Sequence, residues 1–306
     1  MSLLTVGTIA FDSIETPFGR AERVVGGAGV YIPLAASYFT DDLKIVSVVG
    51  GDFPPDEIDY MVSRGIDTEG LQVIEDGKTF TWHGKYKPNM TERETLDTQL
   101  NVLASFDPVL PESYKEVDYL MLGNMTPSLQ MRVIDQLKKR PKLIALDTMN
   151  FWMDTAMDEL KKVLQYVDVL TINDDEARQL SGKFSLVKAA ASIHKMGPKY
   201  LVVKKGEHGA LLFQNSNVFF APALPLAEVF DPTGAGDTFA GGFIGYLAST
   251  EDLSFENMKR AVIYGSAMAS FCVEKFSIAR LKELNDDEIT ERMVNFVQLV
   301  NFDAKL

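Results

Sequence analysis

The sequence is poor in the side chains that bind metals and carry redox chemistry. It has one cysteine, Cys272, and three widely spaced histidines, His83, His194 and His208. A lone thiol excludes an intramolecular disulfide, and its apolar setting, SAMASFCVEKF, predicts a buried, inert side chain. The histidines and one cysteine make no zinc-binding pattern. No apolar run reaches transmembrane length and no signal-peptide pattern is seen, so a reducing cytoplasm and no membrane partner are expected. Positive charge is also short: 30 Lys and Arg against 43 Asp and Glu leave a net charge of −13, which argues against nucleic acid as a partner. Three nucleotide-binding patterns are missing. There is no G-x-x-x-x-G-K-[ST], no H-R-D with D-F-G, and no in-register G-x-G-x-x-G; Gly26-Gly27-Ala28-Gly29 approaches the last only loosely.

What is present is a strand–helix rhythm. LLTVGTIA (Leu3–Ala10) reads as a first strand, VVGGAG opens a helix-like run, and KIVSVVG (Lys44–Gly50) has the unbroken apolar character of a strand buried on both faces. After Phe106, short apolar strands (YLMLG, LIALD, DVLTIN, YLVVKK) alternate with amphipathic helices. That alternation predicts one α/β domain over residues 1–306, with a mostly parallel sheet covered by helices on both faces. Two β-prone stretches, about 13–25 and 73–104, have little core-forming mass and are expected to form a small β extension. Asp12, Asp147, Asn150, Asn173, Glu176 and Lys204 all follow strands, and the carboxyl ends of parallel strands are where such folds bind ligands.

The densest signal is DPTGAGDTFAGG, Asp231–Gly242. Its segment PTGAGD, Pro232–Asp237, ends where a helix begins, and a helix N-terminus carries unpaired N–H groups and partial positive charge. The bare backbone of Gly234, Ala235 and Gly236 suits close approach of a phosphate oxygen. Asp237 stands beside them, placed to accept a proton from an alcohol while the amides stabilise phosphoryl charge. Phosphoryl transfer needs little more than such positioning.

DPTGAGDTFAGGF resembles the C-terminal signature of the ribokinase-like, or pfkB, family of carbohydrate and nucleoside kinases. The resemblance extends through VGTIAFD, VVGGAG, VVGGDF, RGIDTEG, NDDE and VVKKGEHGA in matching order and spacing. It implies a doubly wound α/β fold with a β-sheet lid that often pairs in a homodimer, and transfer of the ATP γ-phosphoryl group to a hydroxyl with Mg2+. It implies Asp237 as general base and Gly234, Ala235 and Gly236 as the anion hole. Asn173 and Glu176 match the N-x-x-E motif that organises magnesium-bound phosphates, Glu176 through water or phosphate. Lys204, Gly206, Gly209 and Thr233 would border the nucleotide, with Lys204 standing where threonine is usual. Asp12, with Gly26, Gly27 and Gly29, would hold the acceptor, and Asp231 lies where some relatives bind a monovalent cation.

Two departures bear on the acceptor. Tyr31 occupies the position of a common asparagine, and Asn150, in Asp147-Thr148-Met149-Asn150, is near the family's D-x-N-x-R pattern without fitting it and with no arginine after it. The missing arginine argues against an acceptor that already carries a carboxylate or phosphate. A neutral sugar or polyol is the leading expectation and a nucleoside the alternative, with Tyr31, Trp82, Tyr86, Phe151 and Trp152 as aromatic candidates to face it; each taken alone is better read as core. A catalytically inactive ligand-binding regulator is the alternative of another class.

Overall fold

The computed structural model describes residues 1–301. Its strands, in chain order, are β1 (Leu3–Val6), β2 (Ala10–Thr16), β3 (Gly19–Gly26), β4 (Leu43–Gly50), β5 (Ile66–Ile74), β6 (Phe80–Tyr86), β7 (Arg93–Gln99), β8 (Tyr119–Leu122), β9 (Leu143–Asp147), β10 (Val169–Asn173), β11 (Tyr200–Lys204), β12 (Ala210–Gln214) and β13 (Asn217–Ala221). The helices are α1 (Ala28–Ala36), α2 (Pro55–Ser63), α3 (Pro127–Asp135), α4 (Asn150–Thr155), α5 (Met157–Leu164), α6 (Asp174–Ser181), α7 (Leu186–His194), α8 (Ala235–Thr250), α9 (Phe255–Cys272), α10 (Ala279–Glu283) and α11 (Asp286–Val300).

Nine strands form the large sheet in the order β13-β12-β11-β10-β9-β8-β1-β4-β5. From β11 to β5 every pair is parallel; β12 and β13 add an antiparallel edge that the alternating rhythm did not announce. Side chains alternate across the sheet because the strand repeat is two residues. Leu3, Ile45, Tyr119, Met121, Leu143 and Val202 join one core with α1, α8 and α9. Leu4, Val46, Leu120, Ile144, Leu170 and Val203 join a second core with α3, α5, α6 and α7. These two apolar layers explain why the strands read as unbroken hydrophobic runs.

The chain leaves the large sheet earlier than the run LLTVGTIA suggests. β1 stops at Val6 and β2 starts a second sheet at Ala10, so the expected single strand Leu3–Ala10 is two. Gly7 makes the crossing: its carbonyl accepts the Ser47 hydroxyl at 2.7 Å, and a Cβ there would lie 2.8 Å from Ala28. The small sheet has the order β3-β2-β6-β7. Val73 and Ile74, expected in this extension, instead pair with Val49 and Gly50 at the edge of the large sheet, and Asn101–Ser105 coil into a 3-10 turn.

Candidate active site

Three neighbouring parallel strands end in polar groups: β9 in Asp147, β10 in Asn173 and β11 in Lys204. The N-terminus of α8 comes to the same rim. Gly234 caps it in the left-handed conformation, φ 77°, and a Cβ there would lie 2.3 Å from the Tyr31 ring. Glycine is required on both counts. Ala235 donates its N–H back to the Pro232 carbonyl at 3.2 Å, so this member of the expected anion hole is engaged within the loop. The amides of Gly236 and Asp237 belong to the first turn, where a helix supplies no acceptor of its own.

Asp237 sits half-buried at the third position of α8. Burial pushes its carboxyl up to about 7, and the Asp147 carboxylate adds to the effect; the Lys204 and Arg93 cations oppose it. A carboxylate tuned to that range suits a general base at neutral pH. Asp12 is buried on β2 and is also pushed up to about 7, first by burial and then by Asp231 and Asp237, with Arg93 opposing.

Glu176 and Asn173 form a reciprocal capping box on α6. The Asn173 side chain accepts from the Glu176 amide and the Glu176 carboxylate from the Asn173 amide, both at 2.8 Å. The cap anchors Glu176 rather than replacing a role at the rim, because only Oε2 is engaged in it. Its carboxyl is raised to about 7 by burial and by Asp147. Lys204 bonds Asp147 Oδ2 at 2.5 Å, and Thr171 donates to the same oxygen at 2.9 Å. Burial works against the Lys204 charge, but Asp147, Glu176 and Asp237 hold its pKa above the ordinary lysine value. Beyond it, Gly206 has open space where a Cβ would be, whereas Gly209 turns the loop tightly against Ala221.

The glycines near Asp12 divide by role. A Cβ on Gly26 would lie 2.1 Å from Asp12 Oδ2, so that glycine leaves the carboxylate room. Gly27 and Gly29 pack the start of α1 against Thr8 and Gly7, and the Gly29 amide bonds the Thr8 carbonyl at 2.8 Å. Tyr31, expected to face the acceptor, is 1% exposed and lies beneath Gly234, where its ring supports the loop. Asn150 and Phe151 are exposed at the start of α4. The polar group held at that corner is Asn124, whose amide accepts from Trp152 Nε1 at 2.8 Å and donates to Met149 Sδ at 3.1 Å.

The small sheet meets this rim with one face. Asp12 and Trp82 are register partners on β2 and β6, so their side chains stand on the same side. The Trp82 ring lies across Gly84, where a Cβ would be 2.0 Å from it. Tyr86 reaches the α8 loop, its hydroxyl 3.1 Å from the Thr233 hydroxyl. Opposite Tyr86 on β7 is Arg93, its guanidinium 5.8 Å from the Trp82 ring centre. Arg93 is close enough to hold down Asp12, Asp237 and Glu176 together.

A profile described as pfkB family carbohydrate kinase matches residues 5–283. The chain belongs to the pfkB family. It is 28% identical over 247 residues to the cytidine kinase of Thermococcus kodakarensis, covering 80% of this chain and 87% of that protein. It is 27% identical over 295 residues to a nucleoside kinase of Methanothermobacter thermautotrophicus, covering 89% of each. A solved structure from E. coli, described as a ribokinase II in complex with ATP and Mg2+, superposes with a TM-score of 0.78 at 20% identity, covering 97% of this chain and 99% of that one. This pfkB member is therefore a phosphotransferase with a hydroxyl acceptor on a ribokinase-like fold, its nine-stranded sheet joined by a four-stranded β lid. Among the described residues no helix is long and apolar enough to cross a membrane.

Proposed function

We propose that this pfkB kinase phosphorylates a sugar hydroxyl of a nucleoside, with ATP and Mg2+ as donor. The observation that carries the choice of acceptor is the Trp82 ring, which lies over Gly84 on the same sheet face as its register partner Asp12. Asp12 suits a ribose, since a carboxylate accepts from two hydroxyls. The neighbouring aromatic face suits a base, and base–aromatic stacking contributes about 1–3 kcal/mol. The two nucleoside-kinase relatives support the same reading.

Asp237 takes the proton of the acceptor hydroxyl as that oxygen bonds the γ-phosphorus. The bond from phosphorus to the departing diphosphate breaks, and the electron pair leaves with the diphosphate. The Gly236 and Asp237 amides at the positive end of α8 meet charge on the transferred oxygens. The free helix amides, the open side of Gly206 and the neighbouring Lys204 fit a polyphosphate. Magnesium, when bound, would neutralise phosphate oxygens, held through water or phosphate by Glu176. The contact from Tyr86 to Thr233 supports a lid that would close over the transfer and exclude bulk water.

Both oxygens of Asp231 accept backbone hydrogen bonds, from Thr233 at 2.9 Å and Ser277 at 3.1 Å. A monovalent ion bound there would share those oxygens, and turnover in potassium against choline chloride tests for it. A lid-mediated homodimer and a cytoplasmic location belong to the same reading; light scattering of wild type against a β7 variant tests the first. The acceptor itself is tested with a panel of nucleosides, free pentoses, hexoses and polyols. A nucleoside is expected to give the highest kcat/KM, and a free sugar outranking every nucleoside would contradict the proposal.

A further inference from the structure

We propose that Lys204 is a catalytic cation, which meets charge on the transferred phosphoryl group beside Gly236 at the start of α8. The proposal rests on the phosphoryl site at Gly234–Asp237 and assigns that site one more residue.

The Lys204 ammonium lies 3.2 Å from where a Cβ on Gly236 would be. It therefore abuts the second residue of α8, beside an amide expected to hold phosphate. Its recorded partner is Asp147 Oδ2, at 2.5 Å, in a pair whose side chains are 19% and 10% exposed. An ammonium has three donors, so one bond to Asp147 leaves two for a ligand. The register puts Lys204 directly beside Asn173, which places the cation between the capped Glu176 and the start of α8. The surroundings are acidic: Asp12, Asp147, Glu176, Asp231 and Asp237 all lie at this rim, against Lys204 on the strands and Arg93 on the lid. A polyanion arriving there needs a fixed positive charge, and the bare Cα of Gly236 leaves room for one.

The plainer reading is that Lys204 only neutralises a buried Asp147. That reading makes a different prediction. If the pair is purely structural, removing both charges restores what removing one destroys, because a buried ion pair exchanged for neutral groups costs little. If Lys204 acts on the phosphoryl group, the double exchange restores stability and not turnover. Lys204 gives up no proton in this role; it supplies charge while the acceptor oxygen bonds phosphorus and the diphosphate leaves.

The experiment measures Tm, ADP affinity and kcat for wild type, Lys204→Met, Asp147→Asn/Lys204→Met and Asp237→Asn. Lys204→Met is expected to lose Tm and to lower kcat by roughly 10²- to 10³-fold, the scale for removing one charge-stabilising donor. The double variant is expected to recover Tm, to bind ADP within a few-fold of wild type, and to stay as slow as Lys204→Met. Recovery of wild-type kcat in the double variant overturns the proposal. Should Lys204→Met be too unstable to assay, the double variant is compared with Asp147→Asn alone, and a double variant no slower than that single one overturns the proposal. Wild-type turnover in Asp237→Asn would instead overturn the underlying site.

Discussion

The hydroxyl of Tyr86 lies 3.1 Å from that of Thr233, and this hydrogen bond ties the lid to the loop that opens α8. Tyr86 is buried and Thr233 is held from below, its amide bonding Asp231 at 2.9 Å. The contact therefore joins two ordered elements. Tyr86→Phe removes the hydroxyl and keeps the ring. A neutral hydrogen bond is worth about 1 kcal/mol, so kcat/KM for the acceptor should fall roughly fivefold, with more ATP hydrolysed when no acceptor is present. Steady-state assays with and without acceptor check this, and an unchanged ratio of hydrolysis to transfer would show that the contact does not govern closure.

Gly84 allows Trp82 to lie across it. Gly84→Ala puts a methyl group where the ring now sits, 2.0 Å from its nearest carbon, so the ring must lift away from Asp12. Loss of a stacking face worth about 1–3 kcal/mol should raise the nucleoside KM about fivefold to 150-fold, while the ATP KM changes by less than about twofold. Equal rises in both constants would point to general disorder of the lid, and no rise in the nucleoside KM would remove Trp82 from the acceptor site.

The raised carboxyls set the pH dependence. Asp237 must be ionised to accept a proton, and burial with Asp147 pushes it up to about 7, so kcat should rise with pH through about 7 and then level off. Arg93 opposes that shift from the lid, as it does at Asp12 and Glu176. Removing the cation makes the charged carboxylate less favourable, so Arg93→Met should move the acid limb to higher pH. A profile of kcat from about pH 5.5 to 9 measures both. A profile flat down to about pH 5.5, with any limb nearer the ordinary aspartate range of about 4, would refute the assignment of the base, and a limb unmoved by Arg93→Met would place that arginine too far away to matter.

The parts of the site that lie in unbroken strings were legible before the fold was seen. Asp231–Asp237 carries its glycines, its helix start and its carboxylate within seven residues, and Asn173 and Glu176 are three apart, so local geometry relates them. The apolar strands were legible because both faces are buried. Contacts between distant segments were not. Asp147 is readable as a rim residue, but nothing local pairs it with Lys204, 57 positions later. Arg93 stands in RETLDTQ, a strand exposed along its whole length, and only its pairing with Tyr86 brings it over the carboxylates. Tyr31 shows the reverse failure. Taken alone it reads as core, but its match to a common asparagine position suggests an acceptor contact, and the packing of α1 against α8 instead puts the ring under Gly234. Burial of that kind depends on which helix faces which, and a single sequence does not state it.

The most direct test of the central claim is single-turnover phosphoryl transfer by Asp237→Asn at pH 8, with ADP binding measured on the same sample. The amide keeps the shape of the side chain and cannot take the proton. Binding should stay within a few-fold of wild type while the transfer rate falls by roughly 10²-fold or more. Transfer at the wild-type rate would contradict Asp237 as the base and, with it, the mechanism built on the Asp231–Gly242 loop.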